Sequence, residues 1–321
     1  MRIDSKRVIE ILKEQDNFLI LTHKSPDGDT LGTGTALCMV LQNMGKNAKV
    51  VNSEVIPKKY EFLFENIKEQ DFEPSYIVAV DVADTSLLGE KLSVYADKVD
   101  LCIDHHGTNR AYAKELHLCA DDGACALTLY RILVEMGAEI TEPIANSLYT
   151  GISTDTGCFR YQNANSECYR AAADLIDLGA DNAGVNTLMF ETKSIEYFRL
   201  LTEVLSNMKF YFGGKVSVLT VTQEMFKRTG TTSECTDAIT ATSRQMEGVV
   251  VGITMKEREN GTFKISLRTH EPVDASYVCS LLGGGGHVRA AGCDAKEDLK
   301  ESLQILLDAI ADELSLPRES V

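Results

Sequence analysis

Five segments of the chain concentrate the side chains that could do chemistry. Four of them contain aspartates, which two of these segments combine with histidines, and the fifth holds four consecutive glycines followed by a histidine and an arginine. A mixture of imidazole and carboxylate groups is typical of divalent metal sites, and it favours manganese, iron or zinc over calcium. The segments are residues 22–32, 81–84, 102–109, 153–161 and 283–292.

The first segment contains His23, Asp27 and Asp29 around a proline and a glycine. If this segment is extended, the two aspartates leave the same side of the backbone, with the histidine at the end of the preceding strand. That arrangement suits a metal ion. The alternative is a polar turn in which Asp29 or Thr30 only caps a helix that begins at Leu31. The segment alone leaves both interpretations open.

Asp81 and the triplet Asp104-His105-His106 each stand at the end of an apolar run. An acidic residue in that position is unfavourable unless the rim of the sheet needs its charge, whereas Asp84 suits a helix cap. Adjacent histidines on an extended backbone point to opposite faces, so one would bind a metal and the other would be free for substrate. Two surface histidines in a loop are the alternative.

Asp155 and the glycine-rich segment 283–292 complete the set. Asp155 ends a predicted helix, where its charge opposes the helix dipole and favours a neighbouring cation. Four consecutive glycines are typical either of a flexible linker or of a backbone that approaches an anion closely. Because His287 and Arg289 follow these glycines, the sequence favours a phosphate or nucleotide contact.

The first four segments hold enough ligands for two metal ions that share one carboxylate. Two ions roughly 3.5–4 Å apart are a device for in-line attack on phosphorus. The sequence has no G-x-x-x-x-G-K-[ST] loop, no G-x-G-x-x-G and no G-x-S-x-G, so it gives little support to a kinase, a dehydrogenase or a serine hydrolase. The candidate ligands are His23, Asp27, Asp29, Asp81, His105 and Asp155.

Short apolar runs precede these segments and alternate with helical periodicity. Such alternation predicts an α/β domain with a mostly parallel sheet, and ligands bind such sheets outside the carboxyl ends of the strands. His23, Asp81 and Asp104 all fall there. The predicted strands are residues 18–21, 48–51, 76–80 and 101–103, and the predicted helices are residues 8–13, 31–44, 123–136, 144–153 and 167–178.

A second, smaller α/β unit is predicted after Gly179, where hairpin signals replace the alternating pattern. Gly213-Gly214 and Asn260-Gly261 each separate two apolar runs and are typical turn residues. Three further helices are predicted, at residues 195–208, 238–246 and 299–314. We therefore expect three parts, which are a first domain at residues 1–184, a linker helix at 185–208 and a second domain at 209–321.

Charge and composition limit the partners of the protein. The 321 residues carry a formal charge of −16, which argues against binding to long duplex DNA unless bound metal reverses the field inside a cleft. The N-terminus is charged where a signal peptide is apolar, and no apolar stretch is long enough to span a membrane. Nine cysteines without a C-x-x-C pair argue against a disulfide framework and a structural zinc site. We expect a cytoplasmic protein.

In this order the motifs resemble those of the DHH phosphoesterases, a family named for the triplet that stands here at residues 104–106. The resemblance extends from His23 to the sequence G-G-G-H-V-R-A-A-G at 284–292, which is similar to the signature of the DHH-associated C-terminal domain. Length and domain order are similar to the short bacterial branch that degrades nanoRNA and dephosphorylates 3′-phosphoadenosine 5′-phosphate (pAp). The resemblance implies a metal-dependent phosphodiesterase and phosphomonoesterase with two α/β domains.

The resemblance also implies a role for each candidate ligand. It implies two manganese ions bridged by Asp81, with Mg²⁺, Co²⁺ or Fe²⁺ as possible substitutes. The ligands of the first ion would be His23, Asp27 and Asp81, and those of the second would be Asp29, Asp81, His105 and Asp155.

The remaining roles concern substrate. His106 would contact the scissile phosphate, and Asp104 would orient the histidines. Arg160 is a further candidate for substrate binding, although an ordinary surface salt bridge explains it equally well. Contacts from the C-terminal domain, closing over the nucleotide across an interdomain cleft, would come from Arg268, Gly285, Gly286, His287 and Arg289.

The expected substrates are short single-stranded oligoribonucleotides, such as the dinucleotide pApA, together with pAp. A stand-alone cyclic dinucleotide phosphodiesterase would use the same site, and a non-catalytic nucleotide sensor would bind without cleaving. Both remain open alternatives at this point. A homodimer is compatible with the resemblance, although no residue of the sequence requires one.

Overall fold

The computed structural model describes residues 1–232 and 236–321. Within them the chain forms two compact units, Met1–Thr192 and Lys193–Val321. The segment 185–208, expected as a linker helix, is divided between these units, because the break falls between Thr192 and Lys193. None of the helices in these residues is long and apolar enough to cross a membrane.

The first unit is built on a sheet of five strands that are all parallel. The expected mostly parallel α/β sheet is therefore confirmed. The fifth strand was not predicted, because Glu115 and His117 interrupt its apolar pattern. The strands are β1 (Phe18–Leu21), β2 (Ala48–Val51), β3 (Tyr76–Val80), β4 (Leu101–Asp104) and β5 (Glu115–Leu118), in the spatial order β2-β1-β3-β4-β5.

Helices cover this sheet. Apolar residues alternate between its two faces, so that Phe18 and Ile20 enter one core and Leu19 and Leu21 enter another. The helices are α1 (Ser5–Glu14), α2 (Gly28–Asn43), α3 (Cys125–Met136), α4 (Glu142–Asp155), α5 (Ser166–Asp177) and α6 (Asn182–Asn186), followed by a π-helical turn (Thr187–Glu191).

The start of α2 differs from the sequence prediction. The helix begins at Gly28, not Leu31, and its N-cap is Asp27, not Asp29 or Thr30. The Asp27 carboxylate accepts hydrogen bonds from the backbone N–H groups of Asp29 and Thr30, each at 3.1 Å, which satisfies two of the free donors at the helix start. The segment is therefore not extended, and Asp29 lies in the first helical turn.

The strand order creates a crevice between β1 and β3. The chain runs from β1 outward to β2 and then crosses back to β3 on the other side of β1, which is the topological switch point where open α/β sheets bind ligands. His23 follows β1, and Asp81 follows β3 directly. Asp81 has a φ of 59°, a left-handed conformation that is unfavourable for a non-glycine residue and is typical of functional sites.

The second unit contains a mixed sheet of six strands, in which only β7 and β8 pair in parallel. Both predicted hairpins are present, as the antiparallel pairs β6–β7 and β8–β9. The strands are β6 (Lys209–Tyr211), β7 (Val216–Val221), β8 (Val251–Glu257), β9 (Phe263–Thr269), β10 (Gly285–His287) and β11 (Ala290–Asp294), in the order β10-β11-β9-β8-β7-β6.

Helices cover both faces of the second sheet. Leu200 and Val204 of the first helix of this unit pack with Leu219 of β7, so this helix belongs to the second unit and is not a free linker. The helices are α7 (Ile195–Ser206), α8 (Gln223–Thr229), α9 (Thr236–Thr242), α10 (Ala275–Ser280) and α11 (Leu299–Leu314).

Candidate metal centre

Three candidate ligands from separate elements meet beside His23. The Nε2 atom of His23 lies 3.5 Å from Oδ2 of Asp27 and 3.6 Å from Oδ2 of Asp81. The histidine follows β1, Asp27 caps α2 and Asp81 follows β3, so the carboxyl edge of the sheet brings them together. Their ligand atoms lie within 4.8 Å of one another, close enough to hold one metal ion.

A second set of ligands surrounds His105. Its Nε2 atom lies 3.7 Å from Oδ2 of Asp29, 3.7 Å from Oδ2 of Asp155 and 3.5 Å from Oδ1 of Asp81. Asp81 thus turns Oδ2 towards the His23 set and Oδ1 towards the His105 set. One carboxylate is therefore placed between two potential metal sites.

His106 lies on the same side as these residues but is held differently. Its Nδ1 atom lies 2.8 Å from Oδ1 of Asp104 and 3.4 Å from Oδ1 of Asp81. The side chain is 43% exposed, against 11% for His105. The two adjacent histidines therefore have different environments, one enclosed by carboxylates and one open to solvent.

Two buried atoms of the centre are left without a hydrogen-bond partner. They are Oδ1 of Asp81 and Nε2 of His105, two of the four such side-chain atoms in the described part of the chain. Unpaired buried polar atoms are costly and rare. A cation placed between the carboxylates would satisfy both atoms, and the donor set of carboxylate oxygens and imidazole nitrogens fits a divalent transition metal or magnesium.

The sequence and fold have close relatives among known proteins. Residues 17–152 match the DHH family, N-terminal domain, and residues 201–315 match the DHHA1 domain. The chain is 35% identical over 320 residues to a bifunctional oligoribonuclease and PAP phosphatase NrnA of Thermus thermophilus, a match that covers 96% of this chain and 94% of that protein. This chain belongs to the DHH family. The resemblance in the sequence motifs is confirmed.

More distant relatives agree with this assignment. The NrnA protein of Bacillus subtilis, described by the same name, is 21% identical over 89% of this chain and 91% of its own length. The crystal structure of an exopolyphosphatase-related protein from Bacteroides fragilis has the same fold, with a TM-score of 0.86 at 23% identity over 96% of this chain and 95% of that one.

In this DHH protein, Asp104 is the residue that positions the triplet. Its buried carboxylate accepts hydrogen bonds from the backbone N–H of His105 (2.8 Å), the ring of His106 (2.8 Å) and the side-chain amide of Asn109 (2.6 Å). Burial raises the pKa of Asp104, but the hydrogen bonds from His106 and Asn109 outweigh it and hold that pKa below its ordinary value. Both oxygens of the Asp104 carboxylate therefore accept hydrogen bonds within the triplet and its loop. The role of Asn109 was not apparent from the sequence.

A backbone carbonyl sets the orientation of His105. The Nδ1 atom lies 3.0 Å from the carbonyl oxygen of Asp122, so Nδ1–H donates to that oxygen and Nε2 faces the carboxylates. The side chain of Asp122 is in turn held by Thr128 at 2.9 Å and by Arg131 at 2.7 Å. The role of Asp122 is not apparent from the sequence, because nothing in its local pattern reveals a contact with His105.

Asp29 is fixed by the start of α3. Its two carboxylate oxygens accept the backbone N–H groups of Cys125 at 2.6 Å and Ala126 at 2.8 Å, donors that the first turn of a helix leaves free. Gly151 of α4 faces the same carboxylate, and a Cβ atom at that position would lie 2.8 Å from Oδ1 of Asp29. The close approach of α4 therefore requires glycine here.

Asp155 is the last residue of α4, two residues beyond the predicted end of this helix at residue 153. Asn163 connects it to the loop before α3. The side-chain amide of Asn163 donates to the carbonyl oxygens of Gly123 (2.9 Å) and Asp155 (3.1 Å). This contact ties the end of the helix to the loop that also holds His105.

The carboxylates of the centre repel one another. Burial raises the pKa of Asp81 well above its ordinary value, and the charge of Asp29 raises it further. The same two causes raise the pKa of Asp155 to about 7. Burial lowers the pKa of His23, but Asp27 and Asp81 outweigh it and raise that pKa to about 10. The centre therefore has a strong affinity for positive charge.

The DHHA1 unit brings two expected substrate residues into one row. Arg268 of β9 pairs with Ala290 of β11, and Ala290 pairs with His287 of β10. Residues paired in this way point to the same face of a sheet. The backbones of Arg268 and His287 are therefore two strand spacings apart, or about 9.6 Å. Only the small side chain of Ala290 stands between them.

The last two of the four consecutive glycines lie in an edge strand and not in a flexible linker. Gly285 and Gly286 belong to β10, which is exposed along its length. Gly286 has a φ of 148°, and a Cβ atom there would lie 2.7 Å from the carbonyl oxygen of Ala290. Glycine is therefore needed for β10 to lie against β11.

Arg289 and Arg160, the two other expected substrate contacts, already have protein partners. Arg289 donates to the carbonyl oxygen of Val273 at 2.9 Å and pairs with Glu271 at 3.2 Å. Arg160 donates to the carbonyl oxygen of Gly157 at 2.7 Å. These contacts give both arginines a structural role within their own units.

Proposed function

We propose that this protein is a phosphoesterase that hydrolyses oligoribonucleotides of a few nucleotides to mononucleotides and pAp to AMP and phosphate. The observation that carries the proposal is the placement of the Asp81 carboxylate, with one oxygen 3.6 Å from His23 and the other 3.5 Å from His105. A shared carboxylate between two ligand sets is the arrangement that two-metal phosphate chemistry needs. The substrates are inferred from the Thermus thermophilus relative, which is an oligoribonuclease and PAP phosphatase.

Two divalent ions fit the ligand sets, with manganese favoured by the mixture of imidazole and carboxylate donors and with magnesium, cobalt or iron as substitutes. When bound, such ions activate water for attack on phosphorus and stabilise the charge that develops on the phosphate. The ligands of one ion would be His23, Asp27 and Asp81, and those of the other would be Asp29, Asp81, His105 and Asp155.

His106 is proposed to bind the phosphate that is cleaved. Its hydrogen bond to Asp104 raises the pKa of His106 to about 9, which favours the protonated, positively charged ring. Asp104 holds Nδ1 and leaves Nε2 on a side chain that is 43% exposed. A fixed cation of this kind stabilises negative charge as it develops on a phosphate oxygen.

The DHHA1 unit is proposed to bind the rest of the nucleotide. Arg268 and His287 point to the same face, and a guanidinium suits a terminal phosphate because it donates two parallel hydrogen bonds. The exposed backbone of Gly285 and Gly286 supplies further donors. Arg289 contributes less in this proposal, because Glu271 already pairs with its charge at 3.2 Å. Arg160 belongs to the first unit and donates to the carbonyl oxygen of Gly157, so its contribution is also smaller.

The net charge of −16 favours small substrates over long nucleic acids. A long chain of phosphates would meet a largely negative surface, whereas a few nucleotides need only a local set of cations and metal ions. We therefore expect weak or no activity on long duplex DNA.

The test is a hydrolysis assay with Mn²⁺ on a panel of substrates. The panel contains pAp, pApA, a long single-stranded RNA, cyclic di-AMP and pyrophosphate. The proposal expects rapid loss of pAp and pApA, little loss of the others, and no turnover by Asp81→Ala. The variant Asp84→Ala, which loses a partly buried carboxylate three residues away and outside both ligand sets, is the matched control and should remain active.

Three results would contradict the proposal in different ways. Turnover of cyclic di-AMP or pyrophosphate alone would keep the chemistry and change the substrate. Activity retained by Asp81→Ala would remove the shared carboxylate from the mechanism. Tight binding of pAp without cleavage would indicate a nucleotide sensor.

A further inference from the structure

The loop between α4 and α5 has a strained backbone beside the metal centre. Gly157, Cys158 and Phe159 have consecutive φ angles of 59°, 57° and 60°, a left-handed turn that is unfavourable for the two non-glycine residues. The backbone N–H of Cys158 donates to the carbonyl oxygen of Ser153 at 2.7 Å, and Nε of Arg160 donates to that of Gly157 at 2.7 Å. Strain of this kind persists only where other contacts hold it, and it is typical of segments that bind ligands.

The left-handed turn directs the chain back towards the metal centre. The backbone N–H of Tyr161 donates to the carbonyl oxygen of Thr156 at 3.0 Å. The side-chain amide of Asn163 lies 3.3 Å from Oδ2 of Asp155, and it also donates to the loop before α3. The segment 156–163 therefore runs along the edge of the centre, from one ligand to the loop that holds another.

The His105 set opens to solvent on this side. The side chains of Asp29, Asp81 and His105 are at most 11% exposed, whereas that of Asp155 is 31% exposed. A molecule that approaches this set from solvent therefore meets Asp155 first, together with the loop that follows it. Tyr161 is the exposed aromatic residue of that loop.

The ring of Tyr161 has one face covered and the other open. A Cβ atom built on Gly157 would lie 2.4 Å from Cε2, 2.4 Å from Cζ and 2.7 Å from Cε1 of the ring. Nearly equal distances to three ring atoms mean that the ring lies with its face against this glycine, which has no side chain to displace it. Tyr161 is nevertheless 55% exposed, so its opposite face is open to solvent.

The position of this ring suits a nucleotide whose phosphate is bound at the metal centre. Gly157, on which the ring rests, is two residues after Asp155, so their Cα atoms are at most about 7 Å apart. In a nucleotide the phosphate and the base are separated by one sugar, which is a distance of the same order. Aromatic side chains with an open face bind bases by stacking, with little preference for the identity of the base.

We propose that Tyr161 is a substrate-binding residue that stacks on a base of the nucleotide held at the metal centre. This inference rests on the proposed function, because it concerns the same substrates. Stacking positions the sugar and the phosphate relative to the ligands without selecting one base. It also distinguishes a nucleotide from pyrophosphate, which has no base to stack.

The kinetic test compares Tyr161→Ala with Tyr161→Phe and with Tyr169→Ala. Tyr169 is exposed to a similar extent and holds the same loop, because its hydroxyl donates to the carbonyl oxygen of Phe159 at 2.9 Å. We expect Tyr161→Ala to raise the KM for pAp by at least about fivefold, the lower end of the effect of losing one stacked base. Its kcat and its affinity for Mn²⁺ should not change, because no metal ligand is altered, and Tyr161→Phe should restore the KM because it keeps the ring.

Two kinetic results would overturn the proposal. An unchanged KM in Tyr161→Ala would show that the ring does not contact substrate. An equal rise in KM in Tyr169→Ala would show that displacement of the loop, and not the loss of a stacked base, causes the effect.

Fluorescence separates this inference from the proposed function. The sequence contains no tryptophan, so Tyr161→Trp places a single indole at the proposed site, and a stacked base quenches its fluorescence. The measurement uses Mg²⁺, which does not itself quench an indole as paramagnetic Mn²⁺ does. We expect AMP and pAp to quench this variant, whereas inorganic phosphate and a pAp analogue without a base should not. Tyr169→Trp is the matched control and should not respond.

Each outcome of the fluorescence experiment decides one of the two proposals. Quenching without hydrolysis of pAp would support this inference and contradict the proposed function. Hydrolysis of pAp by Tyr161→Trp without quenching would overturn this inference alone. Equal quenching of Tyr169→Trp, or quenching by the analogue without a base, would also overturn it, because the signal would not come from a base stacked on residue 161.

Discussion

Asn109 donates a 2.6 Å hydrogen bond to Oδ2 of Asp104, on the opposite side of the carboxylate from His106. Asp104 is completely buried, so the loss of this donor leaves a charged oxygen unsatisfied. Asn109 has no contact with the metal ligands. Through Asp104 it is nevertheless connected to His106, the histidine that is proposed to bind phosphate.

We predict that Asn109→Ala lowers kcat by about tenfold or more and lowers the free energy of unfolding by about 2 kcal/mol, since hydrogen bonds to charged groups are worth roughly 1.5–3 kcal/mol. Metal content should not change, because Asn109 touches none of the ligands. Ser194→Ala is the control, because the loss of this helix cap on α7 costs about 1 kcal/mol of stability. If both variants lose kcat equally, Asn109 has only a structural role.

Asp81 is expected to be needed for metal binding and to destabilise the protein when metal is removed. Its pKa is raised by burial and by Asp29, which means that the ionised form is unfavourable in the folded, metal-free protein at neutral pH. We predict that Asp81→Asn raises the Tm of the metal-free protein by a few degrees and abolishes the rise in Tm that Mn²⁺ gives to the wild type. Thermal unfolding with and without Mn²⁺ measures both effects. Asp84→Asn should behave as wild type, and a variant that still gains stability from Mn²⁺ would exclude Asp81 as a shared ligand.

Substitutions of the two adjacent histidines of the triplet should have different effects. His105→Asn removes the Nε2 atom that faces three carboxylates, so we predict the loss of at least one bound metal ion per chain. His106→Asn should keep the metal content and lower kcat by about 10²–10³, the usual effect of removing one group that stabilises developing charge. Elemental analysis of dialysed protein, with kinetics on pAp, separates the two. Loss of metal from both variants would make His106 a ligand as well.

Continuous apolar runs made the first sheet predictable. The bounds predicted for β1, β2 and β3 agree with the structure. The strands β1 and β3 are short buried runs with polar residues at their ends, whereas β2 is only partly buried. The carboxyl ends of these strands also located the centre, since a parallel sheet directs them to one edge. The start of α2 was less predictable, because Gly28 and Asp29 have the composition of a turn.

Long-range contacts account for what the sequence did not reveal. Asn109, Asp122 and Gly151 act through partners that are distant in sequence or that depend on helix packing, so no local spacing identifies them. The strands β10 and β11 are rich in glycine and alanine, which have low strand propensity, and they form because β9 offers an edge to pair with. The division of the ligands into two sets came from the family resemblance and not from their spacing.

Gly151 offers a test of how packing between helices controls the metal centre. In an exposed helix, replacing glycine with alanine stabilises by about 1 kcal/mol. Here a Cβ atom would lie 2.5 Å from Cβ of Ala126 and 2.8 Å from Oδ1 of Asp29, so α3 and α4 must move apart. We predict that Gly151→Ala lowers the free energy of unfolding by about 1–3 kcal/mol and weakens metal binding at the His105 set, measured by urea unfolding and by Mn²⁺ titration.

Gly45→Ala separates the effect on the centre from the loss of stability. Gly45 follows the far end of α2 with a φ of 81° and has no other atom within 4 Å of a Cβ position, so alanine there costs about 1–2 kcal/mol through backbone strain alone. Its Mn²⁺ affinity should equal that of the wild type. If Gly151→Ala also binds Mn²⁺ like the wild type, then Asp29 tolerates displacement, and the contact between α3 and Asp29 does not position a ligand.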